Sequence, residues 1–189
     1  MILNKANPET LSIVAKALRN GGIGVIPCDT MYGLCGLMGI GEKPLQYLKN
    51  REAKKPFLVI ATLEQAKELA AEPLPQPLLD TWPAPLTVIL NSVSGGTIAI
   101  RVPKDPYLQK LLEIVKKPIY STSVNMSGEP TLVAFKDIQQ RFESQVDFLV
   151  KASDEQGTVP STLLDLTQKP PKVLRQGSFD ASSIIASLS

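Results

Sequence analysis

Residues 119–128 read Ile119-Tyr120-Ser121-Thr122-Ser123-Val124-Asn125-Met126-Ser127-Gly128. Pro118 to Ser121 reads as a strand, and its apolar start passes at once into hydroxyls and an amide. A core strand has no need of so many small hydrogen-bonding side chains at its exit. A loop that holds a polar, charged small molecule does. Hydroxyls and amides bond to carboxylate or phosphate oxygens, and Gly128 lets a backbone come close. A Ser/Thr-rich turn that only caps the next helix has the same composition, so this stretch alone leaves both readings open.

Working outward, strands and helices alternate irregularly. Asn7-Pro8-Glu9 starts a helix, with Leu11, Val14, Ala15 and Leu18 at helical spacing and Gly21-Gly22 as its stop. The N-terminus, Met1 to Lys5, is expected to run straight into that helix. Ile23 to Pro27 is a short buried strand. Cys28 to Leu34 reads as a polar turn opening a helical region. Pro44 to Asn50 is helical, Phe57 to Ala61 a strand, and Thr62 caps a helix through Ala71. Pro73, Pro75 and Pro77 break the pattern. Leu86 to Leu90 and Thr97 to Val102 are strands joined through Gly95-Gly96. Pro106 to Val115 and Val133 to Phe142 are helices. Val146 to Val150, Thr162 to Leu166 and Lys172 to Leu174 are strands, and Asp180 caps a last helix. The pattern predicts an α/β or α+β fold with a mixed twisted sheet, in a single domain over residues 1–189.

Composition removes several classes. The net charge of +2 argues against a wholesale nucleic-acid coat. No apolar run approaches the ~20 residues a membrane helix needs, and no signal-peptide pattern opens the chain, so a cytoplasmic protein is expected. Cys28 and Cys35 make neither a disulfide framework nor a standard zinc motif; they read as small packed side chains. There is no histidine. That excludes a Ser-His-Asp or Cys-His triad, imidazole metal ligands and an imidazole base. Catalysis here must rest on positioning, charge stabilisation and a metal brought with the substrate.

Several segments carry the chemistry. Pro27 to Leu34 lies at a strand's carboxyl end, where open α/β sheets hold ligands. Thr30 offers a hydroxyl there, and Asp29 an acceptor for an amine or a backbone donor. Tyr32 either lines a pocket or fills core. Lys49-Asn50-Arg51-Glu52-Ala53-Lys54-Lys55-Pro56 concentrates cations before a strand. Such a run is either a solvated face or a clamp for a polyphosphate, with Arg bidentate and Lys a point charge. In Thr97 to Pro103, alternation puts Ile98, Ile100 and Val102 on one face and Thr97, Ala99 and Arg101 on the other. Arg101 then meets either a ligand carboxylate or an internal acid. Gly157 to Thr162 and Leu174-Arg175-Gln176-Gly177 are further turns with hydroxyls or Arg. No Walker loop and no Gly-x-Gly-x-x-Gly helix start is present.

Together these blocks resemble the YrdC/TsaC family of threonylcarbamoyl-AMP synthases. The family pattern is Pro-Thr-[Asp/Glu]-Thr-x-Tyr-Gly-Leu, Lys-x-Arg-Pro with a following Pro-Leu, and Trp-Pro-Gly-Pro-Leu-Thr. Ala-Val-Arg-x-Pro, Ser-x-Asn-x-Ser-Gly, Ser-Thr and Arg-x-Gly follow. Here the blocks are Pro27–Leu34, Lys49–Arg51 with Pro56-Phe57, Trp82 to Thr87, Ala99–Pro103, Ser123–Gly128, Ser161-Thr162 and Arg175–Gly177, in the family's order. Three positions depart from it. Cys28 stands for Thr, Ala84 for Gly, and Glu52, an acid inside the cationic cluster, for Pro.

The resemblance implies a twisted α/β sheet flanked by helices around a large, basic concave cavity. It implies L-threonine, bicarbonate or CO2, and ATP with Mg²⁺ as substrates, with no tightly bound protein-ligated metal. Threonylcarbamoyl-AMP and pyrophosphate would be the products, and a separate transferase complex would pass the group to a tRNA adenosine. Carried over by motif position, Thr30, Tyr32, Arg101, Ser123 and Ser161 meet threonine. Lys49, Arg51, Lys55, Thr97, Asn125, Thr131 and Arg175 meet ATP, with Lys49 and Arg51 as the catalytic cations. Longer members carry a second C-terminal domain, for which this chain is expected to be too short. Two other readings remain at this stage: an RNA-binding protein of the same fold without catalysis, using the basic cavity, and a non-catalytic nucleotide-binding relative. The low aromatic content, 5%, disfavours RNA through its lack of stacking platforms.

Overall fold

A mixed sheet runs through the molecule and positions everything else. The structure is a computed structural model that describes residues 1–50, 56–152 and 159–188. In chain order the elements begin with β1 (Ile2–Asn4), α1 (Glu9–Arg19), β2 (Ile23–Pro27), β3 (Tyr32–Leu37), α2 (Glu42–Lys49) and β4 (Leu58–Ile60). Next come α3 (Leu63–Leu69), α4 (Gln76–Thr81), β5 (Leu86–Asn91), β6 (Thr97–Arg101), α5 (Pro106–Val115) and β7 (Ile119–Ser123). The chain closes with α6 (Phe135–Phe142), β8 (Phe148–Lys151), β9 (Thr162–Asp165), β10 (Lys172–Arg175) and α7 (Ser182–Leu188).

The strands form one ten-stranded sheet in the order β1-β8-β2-β3-β7-β4-β6-β5-β9-β10. Its pairings are mixed. β1/β8, β2/β8, β4/β6 and β5/β9 are parallel, and the other neighbours are antiparallel. Period-two alternation decides which side chain meets which layer. On β2 and β3, Ile23, Val25, Tyr32 and Leu34 pack with Leu45 of α2 and Ile138 and Phe142 of α6. Ile26, Cys35 and Leu37 point the other way, onto Val14 and Leu18 of α1 and Leu108, Leu111 and Leu112 of α5. A third cluster sets Ile98 and Ile100 of β6 and Val88 of β5 against α3, α4 and α7. Burying both faces of the central strands against helices is what makes β2 and β3 apolar throughout.

Three expectations are corrected. The N-terminus does not run straight into a helix, because Ile2–Asn4 first pairs with β8. Cys28 to Leu34 does not open a helical region: residues 28–31 are a hairpin turn, and Tyr32–Leu37 pairs back along β2. Strand β7 runs on to Ser123, so Ser121, Thr122 and Ser123 belong to the sheet and not to the loop after it. An unexpected helix, α4, also stands among the prolines. Pro75 is its N-cap and Pro77 falls in its first turn, the positions where a missing N–H costs a helix nothing.

Candidate functional site

The hairpin turn after β2 and the end of β6 meet at one side of a cavity of about 350 Å³. Cys28 N–H donates to the Met31 carbonyl at 3.0 Å, which closes the turn and holds Asp29 and Thr30 at its tip. Arg101 is the last residue of β6, where alternation directs it away from Ile98 and Ile100. Its Nη1 donates to Thr30 Oγ1 at 2.9 Å, and its Nη2 lies 3.1 Å from Asp29 Oδ1. The sequence left Arg101 either lining a pocket or pairing with an acid. It does both, being a cavity-lining side chain as well as the partner of Asp29.

The lining continues across the sheet from β6 through β5 to the start of β9 and the end of β10. Thr87 Oγ1 and Ser161 Oγ share a hydrogen bond of 2.8 Å. Arg175 donates through Nε and Nη2 to the Ser161 carbonyl at 3.1 and 2.9 Å. Burial, and then the charge of Arg101, hold the Arg175 guanidinium below its ordinary pKa. The two cations therefore face a shared space. Two strands from β6, on the side away from Arg175, β7 contributes Ser121, Thr122 and Ser123, and Pro56, Leu58 and Ala99 add apolar lining.

Of the residues singled out in the sequence, Thr30, Tyr32, Arg101, Ser123, Thr131, Ser161 and Arg175 line this cavity. Tyr32 is also core: its ring packs 5.8 Å from Phe135, and its hydroxyl accepts from Ala152 N–H at 3.0 Å. Lys49 and Asn125 sit behind the lining. The Lys49 ammonium is buried and donates at 2.7 Å both to the Ser123 carbonyl and to Asn125 Oδ1. Asn125 Nδ2 in turn donates to the Glu129 carbonyl at 2.5 Å. Lys49 thus shapes the loop that follows β7. Lys49→Met is expected to cost about 1.5–3 kcal/mol, the range for hydrogen bonds to a charged group, read as a lower urea midpoint with an unchanged slope. Thr97 is not brought to the cavity. It is exposed at the far end of β6, opposite Asn91, because three residues of strand lie between it and Arg101. Arg51 and Lys55, with Glu52, lie outside the described residues.

The sequence reading took Ser121 and Thr122 only as hydroxyls of a ligand-holding loop, and gave no individual role to Thr87. Thr87 had a signal, since it closes the Trp82 block and its register partner on β6 is Arg101. Two departures from the family pattern, Ala84 and Cys28, fall on described residues and are accommodated. Ala84 is buried and does not have a positive φ, so its Cβ imposes no backbone strain. Cys28 lines the cavity; a hydrogen bond with the Cys35 thiol, helped by the charge of Arg101, holds its thiol below the usual range. Cys35 is pushed up by the same bond and by burial. Among the described residues no group of three or more His, Cys, Asp or Glu is placed to hold a metal. No described helix is long and apolar enough to cross a membrane.

A helix-flanked mixed sheet whose strand ends present two arginines and a ring of hydroxyls to one cavity defines a small-molecule site for anionic groups. The family model described as telomere recombination, covering Sua5, YciO and YrdC, matches residues 16–177, and the chain belongs to this family. It is 31% identical over 190 residues to the threonylcarbamoyl-AMP synthase of Pyrococcus abyssi, spanning 92% of this chain but 56% of that protein. It is 30% identical over 194 residues to the threonylcarbamoyl-AMP synthase of Vibrio cholerae, spanning 89% of this chain and 98% of that protein. The backbone matches the crystal structure of P. abyssi Sua5 complexed with L-threonine at a TM-score of 0.88 and 27% identity, over 100% of this chain and 61% of that one. Escherichia coli YciO shares the fold, with a TM-score of 0.82 at 24% identity.

Proposed function

We propose that this chain is a threonylcarbamoyl-AMP synthase, acting as one domain over residues 1–189 in the cytoplasm. The observation that carries the reading is that two guanidiniums, Arg101 and Arg175, line one hydroxyl-bearing cavity. That arrangement suits two anionic groups held at once: the carboxylate of an amino acid and the phosphates of a nucleotide. The likeness to a Sua5 complexed with L-threonine supports placing threonine at the Arg101 end.

In this reading Arg101 pairs with the threonine carboxylate, and Thr30 fixes the guanidinium. The threonine amine takes up CO2, supplied by bicarbonate, as a carbamate. A carbamate oxygen then attacks the α-phosphorus of ATP, and the bond to the departing pyrophosphate breaks. Holding nucleophile and phosphorus in line supplies most of the acceleration, and cations stabilise the charge that develops on phosphate oxygens. No imidazole base is needed, which fits a chain without histidine. Mg²⁺ enters as the ATP complex, held by the nucleotide's phosphates. Arg175 is the described cation at the nucleotide end, and Lys49 reaches the site through Ser123 and Asn125. The mixed anhydride product is consumed by a transferase complex that acylates a tRNA adenosine, and the basic segment before β4 is the place for any contact with that RNA.

Pyrophosphate release from Mg-ATP and bicarbonate, with and without L-threonine, tests the reading. Threonine-dependent release with a threonine-containing AMP adduct is expected. ATP protection against heat without release would instead mark a nucleotide-binding relative. Arg51→Ala is expected to abolish release, because a phosphate-clamping cation acts most strongly where charge develops. Near-normal turnover would remove Arg51 from the site.

A further inference from the structure

The two guanidiniums on the cavity differ in their surroundings. Arg101 faces Asp29, whose two carboxylate oxygens are shut from solvent and accept no hydrogen bond among the described residues; Arg101 Nε is likewise buried without one. Asp29 does not itself line the cavity, so it acts on any ligand through Arg101. Arg175 has no carboxylate within ion-pair distance among the described residues, and its hydrogen bonds go to neutral Ser161 oxygens. The Asp29–Arg101 pair therefore sums to zero charge, while Arg175 keeps its full cation.

That asymmetry has a chemical meaning. A guanidinium with a free charge binds phosphate at least as readily as carboxylate. Two equal arginines facing one space would let a pyrophosphate or a nucleotide tail settle at either, or bridge them. A carboxylate behind one of them opposes a polyanion, yet leaves guanidinium N–H groups for an amino acid whose own charges cancel. We propose that Asp29 is the specificity-determining residue of the cavity. It reserves the Arg101 end for a net-neutral amino acid and leaves phosphate groups the Arg175 end alone. The inference rests on the synthase reading for the identity of the amino acid, and on the geometry alone for the exclusion of phosphate.

Calorimetric titration of inorganic pyrophosphate into the parent chain, Arg175→Ala, Asp29→Asn and Asp29→Glu tests it, each with and without saturating L-threonine. The parent is expected to bind one pyrophosphate that threonine does not displace. Arg175→Ala is expected to lose at least tenfold in pyrophosphate affinity with threonine affinity within twofold of parental. Asp29→Asn is expected to take a second pyrophosphate that competes with threonine, and Asp29→Glu to restore a single one. A merely structural role for Asp29 would weaken both ligands and create no new anion site. Parental stoichiometry in folded Asp29→Asn overturns the proposal. So does pyrophosphate competing with threonine in the parent or in Arg175→Ala, and so does a parent that binds no pyrophosphate. If Asp29→Asn does not fold, Arg175→Ala alone decides. A parent that binds pyrophosphate but no threonine sinks the synthase reading, while the stoichiometries still test Asp29.

Discussion

Arg101→Ala is expected to damage stability and activity together more than any other single substitution among the described residues. It removes the partner of a buried carboxylate. Breaking a buried pair from one side costs about 3–5 kcal/mol, because the remaining charge is left without compensation. For a domain of this size that lowers the unfolding midpoint by roughly 10 °C. The same change removes the donor to Thr30 and the group assigned to the threonine carboxylate. Truncating one side of a desolvated charged contact costs about 2–5 kcal/mol in binding, so threonine-dependent pyrophosphate release should fall at least ~30-fold. The two effects separate in the double variant Asp29→Leu with Arg101→Met. Removing both charges together should recover most of the stability, since a buried pair is worth little more than a well-packed apolar replacement. Threonine binding should stay lost. Parental turnover in Arg101→Ala would take Arg101 out of the site, and parental stability would mean that Asp29 finds other solvation.

Much of this site is legible in the sequence because strand alternation is a rigid rule. Once Ile98, Ile100 and Val102 are read as the core face, Arg101 has to be on the other one, and the structure keeps it there beside Ala99. Where legibility fails, tertiary contact overrides a local signal. Cys28 to Leu34 reads as a polar turn opening a helical region, whereas residues 32–37 form a strand in which Gly33 and Gly36 stand in tight contacts. Their real office is close approach: a Cβ at Gly33 would lie 2.5 Å from Ser121 Oγ, and one at Gly36 3.0 Å from Gly41 Cα. The prolines at 73, 75 and 77 read as pure interruption, although two of them are well placed at a helix start. Lys49 looked like the leading member of a cationic run. Nothing local reveals that its ammonium turns inward to Ser123 and Asn125, more than seventy residues away. Thr87 and Ser121 reach the cavity through register, which a single chain does not display.

Gly177→Ala carries the second large effect, and it separates the two ends of the cavity. A Cβ at this position would lie 2.2 Å from the Pro160 carbonyl oxygen and 2.4 Å from both the Ser161 carbonyl carbon and the Thr162 nitrogen. All three are backbone atoms, so no side chain can swing aside, and the two segments must part. They are clasped by other contacts: Gly177 N–H and Phe179 N–H donate to Thr162 Oγ1 at 3.0 and 3.2 Å, and that hydroxyl donates to the Phe179 carbonyl at 2.6 Å. Forcing an extra carbon into such a contact costs about 1–3 kcal/mol. The functional effect follows from where the strain falls. Arg175 reaches the cavity by bonding to Ser161, on the other side of the same clasp. Thr30 and Arg101 hang from the β2–β3 turn and from β6, which the clasp does not hold. The KM for ATP should therefore rise at least tenfold, while the affinity for L-threonine changes little. Equal losses for both substrates would mean that the sheet transmits the strain across the cavity. A parental KM for ATP would show that Arg175 does not depend on Ser161 for its position at the nucleotide end.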